Sequence, residues 1–447
     1  MSHVITAKIY DLGTTVLADI SGISLTKSMT RQLNGVRSFT FSAPANSSLL
    51  TDVAGDGFPN LYDGGNRKLV VWEDGDPDTD DPIFHGRIFT VERSGDENSV
   101  LVNVTAYDPW MELGYEGDNR AGRVVRDDTA TTFGDPSFLT PLFSPTPSQD
   151  GISGPDLIKQ ILTYSQGDPS TNPVQGEGPL PIDLVSGSWD LDVPPAIDVN
   201  PVDSADWPVL VGDFITQLIA TDAVDLDFRP IRPGTGLNLD SDTDDYIMVE
   251  ASSVSKMGTD RSATVHFDYL TGSFNAMAAR EECDFSLHCD RLWYELGPRL
   301  DKQHWRGDIT PHSAIPVSEG LLTLMDDSAT KYGGPNTLKG YNASVRISDS
   351  LGTENSARPL YQALYAAEVR LRVEPRRLLY VTPCVDEKAL FEPPQDYDVY
   401  DVIQIKTGAD FGVELDEKQR VYGYTKTWSA EGVASVSELL TSADVSV

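Results

Sequence analysis

The chain has 447 residues with 34 basic and 69 acidic side chains, a formal net charge of −35. That length predicts roughly two to four domains with room for buried cores, and 39% hydrophobic with 9% aromatic residues excludes a solvated acidic tail. A surface this negative repels phosphates and argues against a role in gripping DNA or RNA.

Three cysteines, Cys283, Cys289 and Cys384, are too few for a disulfide scaffold and fit a reducing cytosol. Residues 1–8 (MSHVITAK) lack the basic region and continuous apolar run of a secretory signal, and no stretch has the length of a membrane span. A soluble product is expected.

The first hundred residues read as short strands: 4–10 (VITAKIY), 38–42 (SFTFS), 68–72 (KLVVW), 83–92 and 99–107 are rich in β-branched and aromatic residues. Residues 93–98 (RSGDEN) supply the chemistry of a tight reversal. Beyond them Val100, Val102, Val104 and Ala106 alternate with Leu101, Asn103, Thr105 and Tyr107, which predicts one buried face in an antiparallel barrel or sandwich.

After Asp108, Pro109 and Trp110 the composition shifts. Residues 127–150 and 166–208 are dense in Pro, Gly, Asp and Ser, as in surface loops or extended arms. Two amphipathic helices interrupt them. One starts at Ser153 with Pro155 in its first turn and aligns Leu157, Ile158, Ile161 and Leu162; the other, over 209–220, aligns Val211, Phe214, Ile215, Leu218 and Ile219. Strands return at 226–230, 246–250 and 263–269, a third helix spans 359–372, and 402–406, 419–428 and 433–440 form a final hairpin region. Residues 87–93 (RIFTVER) and 420–426 (RVYGYTK) each precede an acidic, glycine-containing turn and an alternating strand. Two related β-domains would explain the echo, and so would the limited repertoire of hairpin chemistry.

Reactive constellations are sparse. Cys283, His288 and Cys289 lack the usual zinc spacing and a fourth ligand, and half-buried small side chains explain the cysteines equally well. The acidic runs 74–81 and 240–245 read as solvated turns. The second places carboxylates at positions 1, 3 and 5 of a calcium loop but has Asp245 where glycine and Ala251 where glutamate belong. His3, His85, His266, His288, His304 and His312 are scattered, and no nucleophile elbow, zinc-helix motif or phosphate loop occurs. No catalytic, cofactor-binding or metal-binding residue is assigned. A carboxylate-pair glycosidase acting on cell wall and a calcium-dependent carbohydrate-binding or adhesion module, the latter motivated by residues 240–245, stand as alternatives.

The order of motifs resembles a family, the tail hub (baseplate hub or minor tail) proteins of long-tailed bacteriophages, especially those of actinobacterial hosts. Leu33 and Asn34 ahead of 38–42 (SFTFS), 84–88 (FHGRI) with 104–109 (VTAYDP), 267–275 (FDYLTGSFN), 290–298 (DRLWYELGP), the 359–383 segment and 397–402 (YDVYDV) follow the family's sequence of motifs. The chain departs from it in the extra Leu270, in Asp290 for asparagine and in Tyr400 for glycine. The resemblance implies a mainly β protein with a few helices (α+β), built from two tail-tube-like antiparallel β-barrels plus inserted lateral domains. Residues 1–110, completed by 209–265, would form the first barrel, 111–208 an inserted lateral domain, 266–396 the second β-domain with helix 359–372, and 397–447 a hairpin region completing the second barrel or a lateral domain. It further implies a non-enzymatic homotrimer of the virion tail tip, assembled in the host bacterial cytoplasm. Its partners would be the distal tail protein ring, the tape measure protein and other minor tail, tip or fibre proteins, with DNA passing through its channel without sequence-specific binding and no membrane insertion. Two like surfaces per subunit let a threefold ring face a sixfold tube, and carboxylates facing a bore would repel DNA over a Debye length of about 10 Å at 0.1 M salt.

Overall fold

The computed structural model describes residues 2–10, 16–22, 26–44, 67–95, 100–113, 158, 162, 182–184, 212, 215–216, 219, 224–231, 247–253, 257–269, 275–284, 291–296, 308–309, 324–326, 342–347, 376–384, 391–412 and 414–442. Among them lie the strands β1 (Ile5–Tyr10), β2 (Val16–Asp19), β3 (Thr26–Gln32), β4 (Ser38–Pro44), β5 (Lys68–Glu73), β6 (Phe84–Gly95), β7 (Val100–Tyr107), β8 (Ile182–Leu184), β9 (Val224–Pro230) and β10 (Ile247–Ser253). They continue with β11 (His266–Tyr269), β12 (Ala276–Asp284), β13 (Arg291–Leu296), β14 (Asp308–Ile309), β15 (Leu324–Asp326), β16 (Asn342–Ile347), β17 (Arg376–Pro383), β18 (Val402–Thr407), β19 (Leu415–Trp428) and β20 (Ala434–Ser442). The fold is mainly β and its pairing predominantly antiparallel, as the sequence predicts. No helix among the described residues is long and apolar enough to cross a membrane.

One large sheet runs β12-β17-β20-β19-β3-β4-β7-β6-β5-β1-β2, with β18 and β11 branching from β19. Its two ends do not pair with each other among the described residues, so this sheet is open. Smaller sheets, β8-β10-β9 and β14-β15-β13-β16, stand beside it in the chain order. The period-2 patterns account for the core. Ile5, Ala7 and Ile9 of β1, Phe39, Phe41 and Ala43 of β4, and Val102, Val104 and Ala106 of β7 all point inward. They join Ile403 and Ile405 of β18 and Val421, Tyr424 and Trp428 of β19 in one hydrophobic cluster. Val100, first in its alternating series, is exposed. β5 is buried at every position, so its continuous apolar run is that of a strand covered on both faces.

Of the predicted helices, positions 158 and 162 of the first and 212, 215, 216 and 219 of the second have helical backbone, with Ile158, Leu162 and Ile215 fully buried. The 359–372 helix lies outside the described residues. Trp110, at the predicted composition shift, is buried and packs on Phe228 of β9 with ring centroids 5.3 Å apart.

The hairpin echo extends to five strands. β3-β4-β7-β6-β5 and β12-β17-β20-β19-β18 have the same sheet order, and their strands follow one another in the same chain order. Their registers coincide as far as Glu92 in β6 and Thr425 in β19, beyond which only β19 has a second bulge, before Lys426. Arg87 faces Tyr107 and Arg420 faces Ser442; one residue is then skipped in each long strand, so that Thr90 faces Thr105 and Gly423 faces Leu440. Carried outward, this alignment superposes Phe41 facing Val104 on Val381 facing Leu439, Thr26 facing Ser42 on Ala278 facing Thr382, and Lys68 facing Arg87 on Val402 facing Arg420. Even an amide outside the ladders repeats: Ile88 N donates to Arg67 O at 3.0 Å and Val421 N to Asp401 O at 2.8 Å. Equivalent bulges at one position in two hairpins are a specific structural feature. The flanks differ, since β1 pairs β5 antiparallel whereas β11 pairs β18 parallel.

Val104 faces Phe41 on one side and Val91 on the other at zero exposure. A carboxylate there has no water and no partner, so Val104→Asp is expected to cost about 3 kcal/mol or more, read as a loss of the cooperative urea transition.

Candidate functional site at the internal strand seam

The two five-strand units meet where residues 423–428 of β19 pair with residues 27–32 of β3, antiparallel, beyond the point where β18 has left the same edge. Leu33 N donates to Tyr422 O at 2.6 Å at the mouth of this seam. Gly423 allows the approach: a Cβ there would stand 2.8 Å from Arg31 O.

One face of the seam is buried and charged. Tyr424, Lys426 and Trp428 face Arg31, Met29 and Lys27 across it. Lys426 and Glu73 of β5 are both fully buried; Nζ lies 2.7 Å from Oε1 and also donates to Pro393 O at 2.8 Å. Trp428 Nε1 and Gln395 Nε2 donate to the same carboxylate at 2.8 and 3.0 Å. His3 extends the network, with Nε2 2.9 Å from Glu392 Oε2 and Nδ1 2.6 Å from Asp74 Oδ2. Thus residues from three other parts of the chain, His3, 392–395 and 426–428, converge around Glu73.

At the other end Arg31 pairs with Asp398 and, at 2.9 Å, with Asp227 of β9. Tyr424 donates to Asp398 at 3.1 Å, and Arg420 pairs with Asp225 at 2.5 Å with both groups buried. Tyr400, the residue in place of the family's glycine, has φ 80°. Its hydroxyl donates to Leu226 O at 2.5 Å while Arg420 lies over its ring, 5.4 Å from the centroid. These contacts hold an uncommon left-handed backbone in place and pin β9 to the seam. Nearby, Asp108 accepts from the Arg37 and Trp110 amides at 2.9 and 3.2 Å, yet burial pushes its carboxyl up to about 7.

The opposite face carries small hydroxyls. Thr30 and Thr425 lie 3.2 Å apart across the seam, Thr40 and Thr105 likewise, Thr427 and Ser435 2.9 Å, and Ser42 donates to Asn103 at 2.7 Å. These side chains are half-buried and uncharged over five adjacent strands. In the second unit the face changes character: Arg280 lies 3.9 Å from Glu282, 3.8 Å from Glu438 and 4.0 Å above the Tyr380 ring.

The residues weighed as ligands fare differently. Cys283 is exposed on β12, while His288, Cys289 and the 240–245 run lie outside the described residues, as do His304 and His312. The 74–81 run is a self-capped turn in which Asp76 accepts from the Asp78 amide at 2.9 Å and Asp80 from the Asp76 amide at 2.8 Å. His85 is buried and its imidazole is held down to about 3 by burial and by Lys68, so it stays neutral. His266 packs against Phe391. His3, Glu73 and Glu392 bring three potential ligand atoms within 4.8 Å of one another, but the Lys426 ammonium lies 2.7 Å from Glu73 and 3.4 Å from Glu392 and already supplies the local positive charge. No local spacing signals this cluster, because its members come from three distant parts of the chain.

No protein-family model matches the chain, and no curated protein matches it. Among solved structures, it is similar over 98% of its length, and 98% of theirs, to the 43 kDa tail protein of prophage MuSo2 from Shewanella oneidensis, at 12% identity and a TM-score of 0.51. It is similar to the tail protein from Neisseria meningitidis MC58 at 12% identity and a TM-score of 0.51, covering 99% of this chain and 97% of that one.

Two predictions follow from the charges. Lys426→Met leaves Glu73 buried without its ammonium and is expected to cost about 3–5 kcal/mol, part of which Glu73→Gln in the same chain recovers, as a double-mutant cycle of urea midpoints will show. Asp108 is protonated more readily in the folded than in the unfolded chain. Its contribution is therefore complete below the ordinary carboxylate range near 4 and lost as pH rises through about 7. Relative to the native chain, Asp108→Asn should gain stability between pH 4 and 8. The end-to-end likeness gives this chain the fold of these phage tail proteins.

Proposed function

We propose that the chain is a structural protein of a phage virion: a trimeric tail hub at the distal end of the tail, joining a sixfold tail tube and distal tail ring to a threefold tip. The observation that carries this reading is the five-strand unit present twice in matching register. Three chains present six such units, which is the number a sixfold ring requires.

In this reading each unit is the core of one tube-like barrel. Residues 1–110 with 209–265 belong to the first, 266–396 with 397–447 to the second, and 111–208 to a lateral insertion. The hydroxyl-bearing face of the central strands turns toward the bore, where uncharged groups offer passing phosphates little to hold. The surrounding negative charge keeps DNA from settling. The tape measure protein and the other tip or fibre proteins are the remaining partners, and the protein assembles in the bacterial cytoplasm. It performs no catalysis of its own.

Light scattering of the purified chain is expected to return three times the mass of one copy, and a zymogram on host cell wall no clearing. A monodisperse monomer with wall-degrading activity lost on changing one carboxylate pair would replace this reading with that of a hydrolase.

A further inference from the structure

Glu73 and Lys426 are 353 positions apart, and in the sheet order β6, β7, β4 and β3 lie between their strands β5 and β19. The sheet therefore curls until the two side chains meet, both at zero exposure. Lys426 Nζ lies 2.7 Å from Oε1 and 2.9 Å from Oε2 of Glu73. Contact with both oxygens holds the nitrogen on the order of 3 Å from the carboxyl carbon, the separation of a near-attack arrangement.

The groups around the pair are those an amide condensation needs. A second carboxylate, Glu392, has Oε2 3.4 Å from Nζ, and His3 Nε2 fixes the same oxygen from 2.9 Å. The Pro393 carbonyl accepts an N–H of Lys426 at 2.8 Å and so orients the nitrogen. Trp428 Nε1 donates to Oε1 of Glu73 and Gln395 Nε2 to Oε2. Charge develops on these oxygens when a nucleophile adds to the carboxyl carbon, so the two donors are placed to stabilise it. The Trp428 ring, 5.5 Å from Nζ, covers the site with apolar surface.

We propose that Lys426 and Glu73 condense in the folded chain to an amide that ties β19 covalently to β5. The ammonium first hands a proton to the Glu73 carboxylate, which leaves an amine facing a carboxylic acid and removes two charges from a dry site. The Nζ lone pair then forms the new bond to Cδ. Glu392 takes the next proton from Nζ and passes it to the hydroxyl, whose C–O bond breaks. One water leaves, and Glu392 is again a carboxylate. One ammonium and one carboxylate have become one neutral amide, with no oxidant or cofactor taking part. The product closes a loop spanning 353 positions, and like a disulfide it restricts the unfolded chain, without the oxidation a disulfide requires.

Intact-mass spectrometry of the purified full chain tests the bond. The folded chain is expected to weigh about 18 Da less than its sequence, one water lost. Trypsin does not cut after an acylated lysine, so residues 69–87 should appear joined to 421–447 across an uncut Lys426, in place of separate 69–87, 421–426 and 427–447. Lys426→Arg keeps a cation for Glu73 but has no amine to condense, and should show the full mass of its own sequence. Glu392→Gln keeps both reacting groups and should lower the linked fraction at least about tenfold after equal times. Full mass in the native chain with the three peptides separate overturns the proposal. So does a loss of one water whose digest leaves those peptides separate, since the dehydration then lies elsewhere. Linking undiminished in Glu392→Gln overturns the part assigned to that carboxylate.

Discussion

The backbone ladder between β3 and β19 is the constraint on which the large sheet depends. Without it the N-terminal and C-terminal strands would be two separate sheets, each ending in an unpaired edge. With it, eleven strands run in one path, and the buried Lys426–Glu73 pair is enclosed between β19 and β5. Breaking that pair from one side leaves a charge in a dry site, so the network specifies the seam even if apolar residues could pack it as tightly. Gly423 serves the same end by leaving space for the Arg31 carbonyl.

Much of the sheet was legible because its strands obey simple periodicity. β4, β7 and β18 alternate cleanly, and the hairpins at 93–98 and 429–432 are marked by turn residues. β3 was not legible. Its inward positions are Lys27, Met29 and Arg31, which read as a polar loop until Asp227 and Asp398 stand beside the arginine. The candidate site was invisible for the same reason. Glu73, Lys426, His3 and Glu392 carry meaning only once the fold has gathered them. Tyr400 could be marked in advance as a departure at a glycine position, but nothing local reveals that Leu226 and Arg420 hold its backbone in place.

The distribution of charge is also more particular than the total. A net charge of −35 describes the whole chain, yet the half-exposed face of five central strands carries threonine, serine and asparagine. The two units differ in the chemistry of this face, since the second keeps hydroxyls at Thr425, Thr427 and Ser435 but carries Arg280, Glu282 and Glu438 toward β12. The same strand arrangement thus carries different side chains on this face in its two copies.

The seam has a consequence in time as well as in space. Thr30 and Thr425 are 395 positions apart, so a ribosome adding roughly 5–20 residues per second finishes β19 some 20–80 s after β3 has emerged. During that interval β3 has only β4 for company, and the pairing of widest sequence separation among the strands of the sheet waits until β19 is made. A nascent chain therefore carries its large sheet as two halves for most of the time it takes to make residues 26–428, with the receiving edge of β3 waiting for β19.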